Sequence, residues 1–236
     1  MLKQVSRLTL GPLARGLFRA KIVGRRNVPR TGPVILASNH LSFIDSVVIT
    51  LFAPRPVSFL AKDSYFKGTG IKGFLSRHFF RSIGAIPVTR GVGQAAQDAL
   101  DAGLNLLHEG EAFAIYPEGT RSRDGRLYRG KTGVAWLALN AGVPVIPVAL
   151  KGTDKVQPIG TKSLRPAKVT IQFGEPLDLS HHGKADSGRA RRHATDEVMD
   201  AIAALSGQQR AEEYNEPPAA TFAEKVRRTF RGRGEL

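Results

Sequence analysis

Val34-Ile35-Leu36-Ala37-Ser38-Asn39-His40-Leu41-Ser42-Phe43-Ile44-Asp45 passes from a strand pattern to a helix pattern within a few residues. Val34 to Ser38 is a short, nearly continuous apolar run, as a strand covered on both faces requires. Phe43 to Phe52 is apolar too, but long enough for a helix. Ser42 precedes Asp45 by three residues, the spacing of a capping box. Ser42 is therefore expected at the N-cap, with Asp45 in the first turn, where the positive helix end favours a carboxylate. His40 falls on the turn between strand and helix.

The same alternation continues outward in both directions. Further strands are expected at Val57 to Ala61, Ile83 to Val88, Ala112 to Tyr116, Val143 to Leu150 and Lys168 to Phe173. Helices are expected at Gly70 to Arg81, Gln94 to His108, Thr132 to Ala141 and Arg189 to Leu205. Strands alternating with helices imply an α/β fold, a single domain with a mostly parallel twisted sheet flanked by helices. Pro144 and Pro147 lack the N–H a central ladder needs, which points to an edge or bulged strand there. The chain divides into a basic amphipathic N-terminal segment (1–22), the main domain (23–206) and a basic C-terminal extension (207–236).

Composition narrows the chemistry. A chain of 236 residues with 42% apolar residues can bury one sizeable core. There is no cysteine, which excludes disulfides, zinc-thiolate sites and a cysteine nucleophile. No apolar run approaches the ~20 residues of a spanning helix, and no signal-peptide pattern opens the chain, so an intracellular protein without a transmembrane helix is expected. His78, His108, His181, His182 and His193 show no metal-ligand spacing, and His181-His182 reads as a solvated turn. No metal is expected.

The formal charge is +15, from 35 Lys and Arg against 20 Asp and Glu, and it points to an anionic partner. It is unevenly placed. Residues 1–30 carry Lys3, Arg7, Arg15, Arg19, Lys21, Arg25, Arg26 and Arg30 without one acid. There Leu2, Val5, Leu8, Leu13 and Leu17 recur at helical spacing, while Gly11-Pro12 should break or kink the helix. This segment reads either as a helix lying on a membrane surface or as one packed on the domain with a solvated basic face. Ser64 to Gln97 is again free of acids, and Tyr65, Phe66, Phe74, Phe79 and Phe80 stand among its basic residues. Those rings suit a lipid headgroup interface or packing against the sheet.

Several polar motifs sit just past strands, at the carboxyl edge where open α/β sheets bind ligands. Asp45 can hold one imidazole nitrogen of His40 and leave the other as a base. In Tyr116-Pro117-Glu118-Gly119-Thr120-Arg121, Glu118 and Arg121 either form an internal ion pair or leave Arg121 facing a phosphate. Arg90 follows another strand and offers a fork that matches phosphate oxygens. Lys62 follows a third strand. Tyr128 to Gly133, with Lys131, is basic and Gly-rich at a helix start.

Asn39-His40-x4-Asp45, Arg90, Glu118-Gly119-Thr120-Arg121 and Val143-Pro144-Val145-Ile146-Pro147-Val148 together resemble the four ordered blocks of the glycerolipid acyltransferases. Within that superfamily the chain is most similar to 1-acylglycerol-3-phosphate (lysophosphatidic acid) acyltransferases. The resemblance implies transfer of a fatty acyl group from acyl-CoA or acyl carrier protein, a co-substrate rather than a cofactor. The acceptor would be the free hydroxyl of a phosphorylated glycerolipid, giving phosphatidic acid. Glycerol-3-phosphate or another lysophospholipid is the alternative acceptor. His40 would be the general base and Asp45 its orienting partner, supported by Asn39 and Ser42. Arg90, Glu118, Gly119, Thr120 and Arg121, with Lys62 and Lys131, would bind or frame the acceptor phosphate, Glu118 by positioning Arg121 or Thr120. An enzyme held peripherally on the cytoplasmic face of an anionic membrane follows. The absence of cysteine and of G-x-S-x-G agrees with direct transfer and no acyl-enzyme.

Two other readings are weaker. Gly91-Val92-Gly93-Gln94-Ala95-Ala96 fits a nucleotide-binding G-x-G-x-x-A, but such a site leaves His40, Asp45 and the Glu118 block unexplained. The charge alone suggests nucleic acid, yet no nucleic-acid-binding motif appears.

Overall fold

The structure is a computed structural model that describes residues 2–89, 93–161 and 163–216. In chain order the elements are α1 (Leu2–Leu17), β1 (Lys21–Val23), β2 (Val34–Ser38), α2 (Asp45–Phe52), β3 (Val57–Lys62), α3 (Gly70–Ser82), β4 (Ala85–Val88) and α4 (Gln94–His108). There follow β5 (Ala112–Ile115), β6 (Leu127–Arg129), α5 (Gly133–Ala141), β7 (Val145–Lys151), α6 (Thr153–Val156), β8 (Thr170–Phe173), α7 (Gly188–Ser206) and β9 (Arg210–Tyr214).

A seven-stranded sheet runs in the order β1-β8-β7-β2-β5-β3-β4. The block from β7 to β4 is parallel. β8 joins β7 antiparallel, and β1 lies parallel to β8 at the edge. Side chains alternate between the faces, so Val34 and Leu36 enter one core with α1, α2 and α3, whereas Ile35 and Ala37 enter a second with α4, α5 and α7. β2 is buried along its whole length, which explains its apolar run. Burying each of its Val, Ile and Leu side chains contributes about 1.5–3 kcal/mol.

The expected edge position of the Pro144 and Pro147 segment is not found. β7 is flanked by β2 and β8. The Val145 N–H donates to Leu177, so by alternation Pro147 turns its missing donor to the same side. There the pairing slips, from Val145 opposite Leu177 to Val148 opposite Phe173. The proline occupies the irregular point of the ladder and still accepts from the Gly174 N–H through its carbonyl.

α1 also departs from expectation. It continues through Gly11-Pro12, because Gly11, Ala14 and Phe18 are buried on the domain and packing outweighs the lost helical hydrogen bond. Of the expected apolar stripe, Leu8 and Leu13 face outward, at 77% and 68% exposed. β1 and β6 have three residues and α6 four, while β9, as long as β2, is mostly polar and carries no apolar run. β9 places Arg210 to Tyr214 beside β6 as a strand, and residues 217–236 lie outside the described residues.

Candidate functional site

The carboxyl ends of β2 and β5 adjoin at the middle of the sheet, and the turns that leave them carry the site. Asn39 locks the first turn. Its side-chain amide donates to the Leu150 carbonyl at 2.9 Å and accepts from the Leu150 N–H at 2.8 Å, imitating one more ladder residue. The same amide nitrogen donates to Gln208 Oε1 at 2.7 Å. His40 is thereby presented at a fixed point of the sheet edge.

Asp45 is wholly buried, and its Oδ2 lies 2.8 Å from His40 Nδ1. The same oxygen accepts the backbone N–H groups of Leu41 at 2.7 Å and Ser42 at 2.8 Å. Because Oδ2 accepts, Nδ1 carries the ring proton and Nε2 presents a lone pair. Nε2 has no hydrogen-bond partner among the described residues, and the ring lines a cavity with Phe43, Tyr65, Phe80, Tyr116 and Arg121. Half of the expected capping box forms. Asp45 receives the Ser42 N–H, but Ser42 Oγ donates to the Gln157 carbonyl at 2.8 Å, and α2 begins only at Asp45. Ser42 is a tie between two loops, not the N-cap.

Glu118 is wholly buried. Oε1 accepts the His40 N–H at 2.9 Å and Oε2 the Tyr128 N–H at 3.0 Å. It makes no pair with Arg121 and faces no solvent, so neither an internal ion pair nor contact with a phosphate fits it. It is a brace under the His40 peptide. Burial pushes its carboxyl up to about 7, against the pull of the two N–H donors.

Gly119 turns the chain with φ 77°, and a Cβ there would come within 3.1 Å of the Lys131 side chain. Lys131 is thus laid over the Gly119 turn, and its N–H donates to the Pro117 carbonyl at 2.8 Å. Arg121 is exposed, lines the cavity beside His40 and makes no ion pair with a described residue. Thr120 is half-buried, and its carbonyl accepts from Asn215 at 3.2 Å. Lys62 is exposed at the end of β3 and does not line the cavity. Arg90 lies outside the described residues. The structure therefore brings together Asn39, His40, Asp45, Glu118, Gly119, Arg121 and Lys131, and leaves Lys62 apart.

Tyr116 acquires its role only in the fold. Its ring stacks on His40 with centroids 3.9 Å apart and planes 14° from parallel, and its hydroxyl meets Ser46 Oγ at 2.7 Å. Its place directly after a strand was the available signal. With Asp45 on one ring nitrogen and Tyr116 on one face, the imidazole has little rotational freedom.

The aromatic block divides. Tyr65 and Phe80 stack at 4.7 Å and Phe43 meets both edge-on, forming the cavity wall. Phe74 and Phe79 stay exposed on α3 with Ile71 and Leu75. Among the described residues no helix is long and apolar enough to cross a membrane.

The sequence profile named Acyltransferase matches residues 19–151. A chloroplastic 1-acyl-sn-glycerol-3-phosphate acyltransferase from Arabidopsis thaliana is 32% identical over 171 residues, 72% of this chain and 46% of that protein. One from Bacillus subtilis is 28% identical over 166 residues, 68% of this chain and 76% of that protein. The crystal structure of the 1-acyl-sn-glycerophosphate acyltransferase PlsC from Thermotoga maritima superposes with a TM-score of 0.64 at 27% identity, covering 86% of this chain and 79% of that one. The matched part of this chain spans about half the length of its plant relatives.

Proposed function

The chain belongs to the Acyltransferase family, and from that premise we propose that it transfers a fatty acyl group from a thioester to the hydroxyl of 1-acylglycerol-3-phosphate, giving phosphatidic acid. The observation that carries this reading is the His40–Asp45 pair, with a proton held on Nδ1 and a bare Nε2 on the cavity. Nε2 takes the proton of the acceptor hydroxyl as its oxygen bonds to the thioester carbonyl carbon. The tetrahedral species collapses, the C–S bond breaks, and the imidazolium returns the proton to the departing thiolate. Asp45 stabilises the transient imidazolium. Such base catalysis contributes on the order of 10²–10⁴ in rate.

Arg121 lines the cavity with His40 and Lys131 lies against the Gly119 turn, and they are the proposed acceptor-phosphate ligands, with the Gly119-Thr120 turn shaping their approach. Arg90 joins them on its place in the sequence just beyond β4, and Lys62 as an outer charge. Phe43, Phe80, Tyr65 and Ile83 give the cavity an apolar side suited to hydrocarbon. The donor is acyl-CoA or acyl carrier protein. The apolar side chains on α1 and α3, with Arg15, Lys72 and Arg81 exposed among them, support peripheral attachment to an anionic membrane, at its cytoplasmic face. Each basic residue near such a surface contributes about 1 kcal/mol.

The test supplies purified protein with labelled acyl-CoA or acyl carrier protein and, separately, 1-acylglycerol-3-phosphate, glycerol-3-phosphate and a zwitterionic lysophospholipid. Labelled phosphatidic acid from the first acceptor alone supports the reading. Preferred use of another acceptor replaces the substrate, and no labelled lipid from any acceptor overturns it.

A further inference from the structure

A second cluster of imidazoles lies away from the cavity. His181 and His182 belong to the 3-10 turn Ser180–His182, and Glu197 reaches them from the third turn of α7. His181 Nε2 lies 3.2 Å and His182 Nε2 2.6 Å from the same oxygen, Glu197 Oε2. All three atoms fall within 4.8 Å of one another. Adjacent histidines have no ligand spacing of their own, which is why the sequence reads them as a solvated turn. The third donor arrives only through the fold.

The far side of His181 determines what this cluster can hold. His181 Nδ1 lies 2.9 Å from the Asp178 carbonyl oxygen. A carbonyl only accepts, so Nδ1 carries a proton, and Nε2 is the ring atom turned toward Glu197. Nε2 can meet that carboxylate through a second ring proton or through a bound cation standing between them. A carbonyl on the far ring nitrogen is also the arrangement that orients metal-binding imidazoles. The Asp178 carboxylate does not compete, since its Oδ1 accepts the Ser180 N–H at 2.9 Å.

The distances can be compared with a coordination sphere. Two ligands of a tetrahedral zinc ion, each about 2.0–2.1 Å from the metal, stand about 3.3 Å apart. His181 and Glu197 already have that separation. The His182–Glu197 contact is a direct hydrogen bond and must open by roughly 0.7 Å to admit the ion. The side chains of His181 and Glu197 are 60% and 33% exposed, so small rotations meet little resistance and a further coordination position opens to water.

We propose that His181, His182 and Glu197 form a binding site for a borderline transition-metal cation, with zinc as the type case, that fastens the turn after β8 to α7. Two imidazoles and one carboxylate suit zinc, nickel or copper, whereas magnesium and calcium take oxygen donors. The site is independent of the transfer chemistry, because none of its residues bonds to His40, Asp45 or Glu118.

The full chain, freed of any histidine tag and stripped with a chelator, is titrated with zinc chloride by calorimetry and followed by thermal melting. One zinc bound per chain, with a melting temperature that rises with zinc and not with magnesium, is the expected result. His181→Ala/His182→Ala and, separately, Glu197→Gln should each weaken zinc binding by at least about tenfold while the circular dichroism spectrum is kept. No zinc uptake, or zinc binding unchanged in the double variant, overturns the proposal and leaves the cluster as an ion pair.

Discussion

His40 and His182 each meet a carboxylate within hydrogen-bond distance, 2.8 Å to Asp45 and 2.6 Å to Glu197. Their surroundings assign them to different work. Asp45 is fully buried and its engaged oxygen holds two backbone N–H groups besides the ring. The pair uses Nδ1, which leaves Nε2 for the cavity. Glu197 is a third exposed, and one oxygen serves two rings through their Nε2 atoms. The first pair is pinned on every side and has one free end. The second has converging ends on partly exposed side chains. A His–carboxylate contact by itself does not make a base; what matters is which nitrogen is spent and how firmly the carboxylate is held.

The widest separation between the two pairs should appear in activity. His40→Ala is expected to lower the acyl-transfer rate by on the order of 10²–10⁴ with an unchanged fold, while His182→Ala leaves it within a few-fold. Equal losses in the two variants, with folding checked by circular dichroism, would break the contrast. Asp45→Asn is next. Its amide oxygen can keep the Oδ2 place and the three donors, with its NH2 group at Oδ1, which bonds to no described residue. The charge facing the imidazolium is lost, so kcat should fall by about 10²–10⁴-fold, and the partnerless NH2 group should cost about 1–3 kcal/mol of stability. Asp45→Ala in addition strands the Leu41 and Ser42 N–H groups and should cost about 1–3 kcal/mol in denaturant titrations. An Asp45→Asn protein with full kcat would reduce Asp45 to a structural cap.

The brace beneath His40 should show itself in pH dependence. The Glu118 carboxyl titrates at about 7 in the folded chain against an ordinary 4.5. The fold therefore binds this proton more tightly than the unfolded chain does. The stability it lends is complete below about pH 4.5 and is lost as pH rises through 7. Stability of the wild type relative to Glu118→Gln should then fall between those limits by at most about 1.4 kcal/mol per pH unit. A difference that stays constant from pH 5 to pH 8 contradicts the assignment. The smallest effect is expected from Tyr116→Phe. It keeps the ring on His40 and removes the hydrogen bond to Ser46, so it should cost about 0.5–1.5 kcal/mol and change kcat only slightly. A large loss of kcat would give the hydroxyl a direct part in the reaction.

Much of the fold is legible because its signals are local. β2 and α4 have the bounds their patterns indicate, and α2, α3, α5 and α7 differ by one or two residues. The His40–Asp45 pair is legible for the same reason, since its members are separated by a single turn. Ser42 was misjudged because its hydroxyl finds the carbonyl of Gln157, a partner no short-range pattern contains. The prolines of β7 left an edge or a bulged strand open, and the register slip that selects the irregular interior position is invisible from β7 alone.

The sequence by itself determined the α/β alternation, the parallel core and the turn that carries His40 and Asp45, because period, capping and strand-to-helix spacing act over a few residues. Tertiary structure alone decided which groups face one another across the chain. It gave Glu118 to the His40 peptide rather than to Arg121, turned Leu8 and Leu13 of α1 outward, and brought Glu197 to His181 and His182. Buried donors and acceptors must find partners wherever the packing of the sheet and helices places them, and that placement is a property of the whole fold.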